Sequence, residues 1–123
     1  MKITLDENEA VQIVPINYPK IGDPITYVRD TLPKEELLCQ LAEECNELAK
    51  SALKLRRTFS DLNPTPMKRR EAMNNLIEEI ADVKLCLMVA GYEDVNTLIR
   101  TNRIMGEKAQ RWASRLQDVG RLK

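Results

Sequence analysis

Apolar residues recur every three or four positions along three long stretches of the chain, which is the spacing that places them on one face of an α-helix. The stretches run from about 31 to 59, from about 65 to 90, and from about 94 to 117. Residues typical of helix ends mark the boundaries: Thr31, Pro33, Thr65, Pro66 and Gly91. The pattern therefore predicts three long helices.

The first 30 residues show no such periodicity. They contain the segment "VQIVPI" and the turn-rich segment "NYPKIGDP". We expect residues 1–30 to form an irregular N-terminal arm and residues 31–118 to form one helical domain. Aromatic residues make up only 4% of the chain, so the core must consist mainly of aliphatic side chains, which suits helices. The predicted fold is an all-α antiparallel helical bundle, completed by oligomerisation.

Two of the predicted helices carry matching acidic stripes. At about 100° per residue, each helix has an apolar arc with a polar stripe on its border. The stripes have the spacing i, i+4, i+7, i+11, and they consist of Gln40, Glu44, Glu47 and Ser51 in the first helix and Asn75, Glu79, Asp82 and Cys86 in the second. Glu43 points further away from the arc. If the helices pack antiparallel, the two acid pairs face each other.

The apolar arcs beside these stripes predict the core. In the first helix the arc contains Leu37, Leu38, Leu41, Cys45, Leu48, Ala52 and Leu55, and in the second it contains Met73, Leu76, Ile77, Ile80, Val83, Leu87 and Met88. Facing acids beside a core repel one another and lose hydration, which opposes folding unless a positive charge lies between them. Lys50 and Lys54 lie near this side of the first helix and could neutralise part of the acidic charge, but a divalent cation would do so better. A single acidic motif of this kind is more often a solvated helix face.

Composition narrows the chemistry further. The chain has no histidine, which excludes His-based acid–base catalysis and the Glu-x-x-His pairs of di-iron bundles, so the site would use oxygen ligands.

Nineteen basic and nineteen acidic residues balance, giving no general argument for binding a nucleic-acid polymer or a membrane. With no signal peptide and no apolar run near the roughly 20 residues of a membrane span, we expect a cytoplasmic protein. Cys39, Cys45 and Cys86 are read as small buried hydrophobes.

The acidic stripes carry a resemblance. Glu44-Cys-Asn-Glu47 and Glu79-Ile-Ala-Asp82 resemble the ExxE and ExxD motifs of the MazG-like, all-α nucleotide pyrophosphohydrolase superfamily. This group includes dimeric dUTPases, MazG proteins, dCTP pyrophosphatases and phosphoribosyl-ATP pyrophosphatase. The resemblance covers about residues 35–116. The wide spacing between the two motifs and the N-terminal arm depart from the pattern of compact members.

The resemblance implies a Mg²⁺-dependent enzyme, with Mn²⁺ as an alternative metal, that converts a nucleoside triphosphate to the monophosphate and pyrophosphate. Four carboxylates would bind the metal: Glu44, Glu47, Glu79 and Asp82. The water's proton would go to Glu43 or Glu47, between which the sequence does not choose. Substrate-binding candidates are Lys54, Asn102, Lys108 and Arg111. Lys108 and Arg111 could equally belong to a solvated basic face, and for Asn102 an exposed polar residue near the start of a helix is the favoured interpretation. Members of the family assemble as dimers or tetramers, so a homodimer or homotetramer is expected.

Two other functions compete with this hypothesis. The first is phosphoribosyl-ATP pyrophosphatase, which shares the fold and chemistry, and the second is a non-catalytic helical module for protein interaction. The sequence leaves open the preferred base and sugar, the number of metal ions, the general base, the choice between dimer and tetramer, and the role of the arm.

Overall fold

The structure, a computed structural model, describes residues 21–60, 62 and 66–121. These residues form four α-helices and no strand: α1 (Pro24–Thr31), α2 (Lys34–Arg57), α3 (Arg69–Val89) and α4 (Val95–Arg121). The all-α prediction is confirmed. The chain divides into two compact units, the first extending through Ala90 and the second beginning at Gly91.

In the first unit, α2 and α3 pack antiparallel. Near the beginning of α2, Leu37 shares a buried cluster with Val89 and Ala90, which lie at the end of α3. At the opposite end, Arg69 donates hydrogen bonds to the carbonyl and hydroxyl oxygens of Thr58, at 2.9 and 3.4 Å. The end of α2 therefore lies beside the beginning of α3, as an antiparallel pair requires.

The face that packs between α2 and α3 differs from the predicted one. Two small residues are buried there, Ser51 of α2 and Ala72 of α3, and small side chains allow helices to approach closely. By contrast, Leu38, Ile77 and Ile80 of the predicted apolar arcs are 41%, 62% and 40% exposed. Helices α2 and α3 therefore contact each other through the sides that carry the polar stripes, and not through the centres of the predicted apolar arcs. The prediction that these three residues belong to the core is wrong within this unit. It is also wrong for four other residues of the arcs that are exposed: Cys45, Ala52, Met73 and Met88.

Helix α1 corrects the prediction that the chain is irregular through residue 30. Asp23 caps it by accepting hydrogen bonds from the backbone N–H and the hydroxyl of Thr26, at 3.2 and 2.7 Å. Pro24 occupies the first helical position, where its missing N–H is not needed. The Asp-Pro signal for a helix start was present in the sequence but lay inside a turn-rich segment. Residues 1–20 of the expected arm lie outside the described residues.

Two cations fasten α1 and the start of α2 to the C-terminal end of α3. Arg29 donates to the carbonyls of Val89 and Met88, at 3.0 and 2.6 Å, and Lys34 donates to the carbonyl of Ala90, at 2.6 Å. The last carbonyls of a helix have no partner within it, and its negative dipole end attracts cations. Arg29 therefore holds α1, and Lys34 holds the start of α2, at the end of α3 where a cation is electrostatically favoured. Helices α2 and α3 together are called the hairpin below.

The helix boundaries otherwise follow the prediction with small shifts. Helix α3 begins at Arg69, so the expected start at Pro66 is a few residues too early, and Thr65 lies outside the described residues. The second unit consists mainly of α4, which continues past the expected end near residue 117 and passes through Gly106 without interruption. None of the described helices has both the length and the hydropathy needed to cross a membrane.

Candidate metal centre

Three of the predicted acids come together between α2 and α3. Each of Glu44, Glu79 and Asp82 offers a carboxylate oxygen, and these oxygens all lie within 4.8 Å of one another. All three side chains are half-buried. Glu79 and Asp82 stand one turn apart on α3, and Glu44 comes from the antiparallel helix, so the cluster exists only when the hairpin is folded. Its spacing suits one cation bound by oxygen ligands from both helices.

Glu79 has a carboxylate oxygen that neither solvent nor a hydrogen-bond donor of the described residues reaches. Its Oε2 is shielded from solvent and has no hydrogen-bond partner among the described residues. This loss of hydration raises the pKa of the Glu79 carboxyl above its usual range, and the negative charges of Asp82 and Glu44 raise it further. A buried acceptor without a donor is costly to folding, and a bound cation would satisfy it.

Neighbouring polar residues orient the cluster on the α2 side. Gln40 donates its Nε2–H to Oε1 of Glu44, at 2.9 Å, from one turn earlier in the helix. Such a bond holds one carboxylate oxygen and leaves the other for a ligand. Glu47 lies one turn further on and pairs with Lys50, at 3.2 Å, with both side chains exposed. The i, i+4 spacing of Gln40 and Glu44 could have suggested this contact from the sequence.

Two cavities flank the acids within the first unit. One has a volume of about 390 Å³ and is walled mainly by apolar residues of α1, α2 and α3, with Glu44 and Asp82 at its edge. The other has a volume of about 250 Å³ and is polar. It is lined by Glu47 and Glu79 together with Lys50 and Lys54. The acids therefore separate an apolar space from a polar one.

The structure places the other predicted site residues as follows. Glu47 lies outside the group of three acids, and Glu43 is exposed and lines neither of the two cavities described above. Lys54 lines the polar cavity. Asn102, Lys108 and Arg111 are exposed residues of α4 in the second unit. The roles assigned to these residues stay predictions.

The cysteines depart from their expected burial. Cys39 and Cys45 are exposed, and Cys86 is half-buried, so the expectation of three buried thiols is wrong for the first two. Partial burial raises the pKa of the Cys86 thiol, and the charges of Glu44 and Asp82 raise it further. Cys86 therefore stays protonated near neutral pH and does not compete with carboxylates for a hard cation.

The raised pKa of Glu79 predicts a pH dependence of folding. Because the folded state disfavours charged Glu79, the free energy of unfolding rises as pH falls through this raised pKa and levels off below the unfolded value. Without metal, Glu79→Gln should therefore be more stable than wild type at neutral pH, and the difference should shrink with acidification. Urea unfolding in EDTA at several pH values measures it. Glu71→Gln makes the same chemical change at an exposed position of the same helix and is the control variant. The same pH dependence in both variants would contradict the assignment to Glu79.

Comparison of the chain with protein-family models, with curated proteins and with solved structures found no match.

Proposed function

We propose that this protein is a Mg²⁺-dependent nucleoside triphosphate pyrophosphohydrolase that releases a nucleoside monophosphate and pyrophosphate. The observation that supports the proposal best is the group of Glu44, Glu79 and Asp82, whose oxygens lie within 4.8 Å while Oε2 of Glu79 is buried without a partner. A hard divalent cation fits this donor set because it prefers carboxylate oxygens. The resemblance to MazG-like enzymes adds the reaction class.

In the proposed reaction, Glu44, Glu79 and Asp82 would hold Mg²⁺, and Gln40 fixes the orientation of Glu44 through its hydrogen bond. The bound ion would screen the charge of the phosphate chain and stabilise the leaving pyrophosphate. One water adds across the anhydride between the α- and β-phosphates, and its proton passes to a carboxylate. Glu47 suits this role better than Glu43, because Glu47 lines the polar cavity beside Glu79.

The phosphate chain also needs positive side chains. Lys50 and Lys54 line the polar cavity next to the acids, so they can reach phosphates that extend away from the metal. Lys50 was not among the residues singled out from the sequence as substrate ligands. Its pairing with Glu47 keeps its ammonium group near the acids until a substrate phosphate competes for it.

Pyrophosphate release provides the direct test. The protein is incubated with a panel of ribo- and deoxyribonucleoside triphosphates in millimolar Mg²⁺, with EDTA in the control reaction. We expect metal-dependent release of pyrophosphate and the matching monophosphate, with one base or sugar preferred. Release of orthophosphate in place of pyrophosphate, or release that persists in EDTA, would contradict the proposal.

Phosphoribosyl-ATP belongs in the same panel as the competing substrate. Turnover of phosphoribosyl-ATP alone would assign the second pyrophosphatase activity. A folded protein without turnover and without Mg²⁺ binding would favour the interaction module.

One observation favours association in either case, since apolar residues such as Leu38, Ile77 and Ile80 are exposed on the helical hairpin. We propose that a second copy of the chain covers them, as a homodimer or homotetramer.

A further inference from the structure

The apolar cavity beside the metal-binding acids has the properties of a ligand site. Its volume of about 390 Å³ falls within the usual range for small-molecule pockets of about 300–1,000 Å³. Ile25 and Val28 of α1, together with Leu32 directly after the helix, form one wall. The opposite wall comes from α2 and α3 and includes Leu37 and Leu85. Such a lining suits a flat, weakly polar ring system better than a phosphate or a sugar alone.

The two cavities and the acids lie in a fixed order along the hairpin. In α2, Leu37 and Gln40 line the apolar cavity, Glu44 stands at its edge, and Lys50 and Lys54 line the polar cavity further along. On α3, as antiparallel packing requires, the polar cavity lies toward the beginning of the helix, where Asn75, Glu78 and Glu79 line it, and the apolar cavity lies toward the end. The groove therefore offers apolar surface, then acids that suit a cation, then a polar cavity whose ammonium groups come from α2 alone. A nucleoside triphosphate has the matching order of base, metal-binding phosphates and terminal phosphate charge.

We propose that the apolar cavity between α1, α2 and α3 binds the base and sugar of the substrate, with the phosphates directed past the acids toward Lys50 and Lys54. This inference rests on the proposed function and adds the orientation of the substrate. Helix α1 then determines affinity for the nucleoside, because its side chains form one wall of the cavity. The phosphates are held independently of α1, since none of the polar cavity's lining residues belongs to it.

Gln40 connects the two parts of the site. Its side chain lines the apolar cavity and donates to Glu44, one of the three acids. With one N–H engaged, the amide still has an N–H and a carbonyl oxygen that can meet polar groups on a base. We assign Gln40 as a positioning residue for Glu44. Gln40→Met keeps the length of an unbranched side chain and removes the N–H donor, so it should weaken Mg²⁺ binding by about tenfold or more.

The test compares ligands that have or lack a base. Calorimetry with Mg²⁺ measures the affinity of the full chain for α,β-methylene nucleoside triphosphates, which resist cleavage, and for inorganic triphosphate. Val28→Phe fills the apolar cavity from α1. It should weaken binding of the nucleotide analogues by about tenfold or more while the affinity for triphosphate stays within about twofold of wild type. Glu79→Gln should weaken both.

Controls separate this inference from the proposed function. Tyr27→Ala alters an exposed α1 residue outside the cavity lining and should bind both ligands like wild type. Leu32→Ala removes part of the same wall and should also weaken binding of the analogues. It serves as the test variant if Val28→Phe fails to fold. Equal affinities of wild type and both cavity variants for the analogues would overturn the nucleoside site and leave the metal site standing. Absence of Mg²⁺-dependent binding of either ligand by wild type would overturn both proposals.

Discussion

Replacing Glu79 with glutamine is expected to lower Mg²⁺-dependent pyrophosphate release by about three orders of magnitude, because a bound metal contributes several kcal/mol to the transition state and about 1.4 kcal/mol corresponds to a factor of ten. Glutamine keeps the size of the side chain but removes the negative charge. It also places an amide next to Glu44 and Asp82, where a cation would otherwise lie. The fold should survive, because the uncharged side chain relieves repulsion within the cluster.

Initial rates at saturating substrate, together with circular dichroism and Mg²⁺ titration, check this prediction. Glu71→Gln makes the same chemical change in the first turn of α3, where the side chain is exposed, and should keep wild-type rates. Turnover of Glu79→Gln within about tenfold of wild type would remove Glu79 from the metal centre. Equal losses in both variants would point to a general effect of charge on the protein.

Leu37→Ala is expected to have the largest effect on folding, lowering the free energy of unfolding by about 2–4 kcal/mol. Leu37 is only 6% exposed and packs with Val89 and Ala90, with Ile25 of α1 against the cluster. Truncation leaves a cavity at the point where three helices meet. Few other large side chains of the first unit are buried to this extent in the described structure, so neighbouring residues cannot readily compensate.

Leu38→Ala is the matched control, because the adjacent leucine is 41% exposed. Its cost should be about 0.5 kcal/mol or less in dilute protein. A larger cost that grows with protein concentration would indicate that a second copy covers Leu38. Urea unfolding at two protein concentrations measures both variants. Equal costs at Leu37 and Leu38 in dilute protein would contradict the packing of this hairpin.

The sequence predicted the long helices well, because their apolar periodicity extends over many turns. Helix α1 was missed because it has only eight residues, too few for a periodic signal, and its Asp-Pro start resembled a turn. Its attachment through Arg29 depends on the carbonyls at the end of α3, some 60 residues away. No local pattern reports such a contact.

The acidic site was predictable in part. The matching register of the Glu44 and Glu79 stripes indicated that acids from two helices could meet, and three of the four predicted ligands do. A helical wheel shows which residues share a face, but it does not show which of two adjacent faces packs within the chain. Here the small residues Ser51 and Ala72 favour close packing on the polar side. The apolar cavity could not be foreseen because α1 supplies one of its walls.

The contacts of Arg29 and Lys34 with the end of α3 also predict the order in which the helices pack during folding. Helices α2 and α3 first meet across a short loop, with Thr58 and Arg69 only 11 positions apart, whereas Arg29 and Lys34 reach carbonyls 60 and 56 positions away. Short loops close at lower entropic cost, and the carbonyl end that receives these cations exists only after α3 has formed. We therefore expect the hairpin of α2 and α3, with its cluster of acids, to form before α1 docks and completes the apolar cavity.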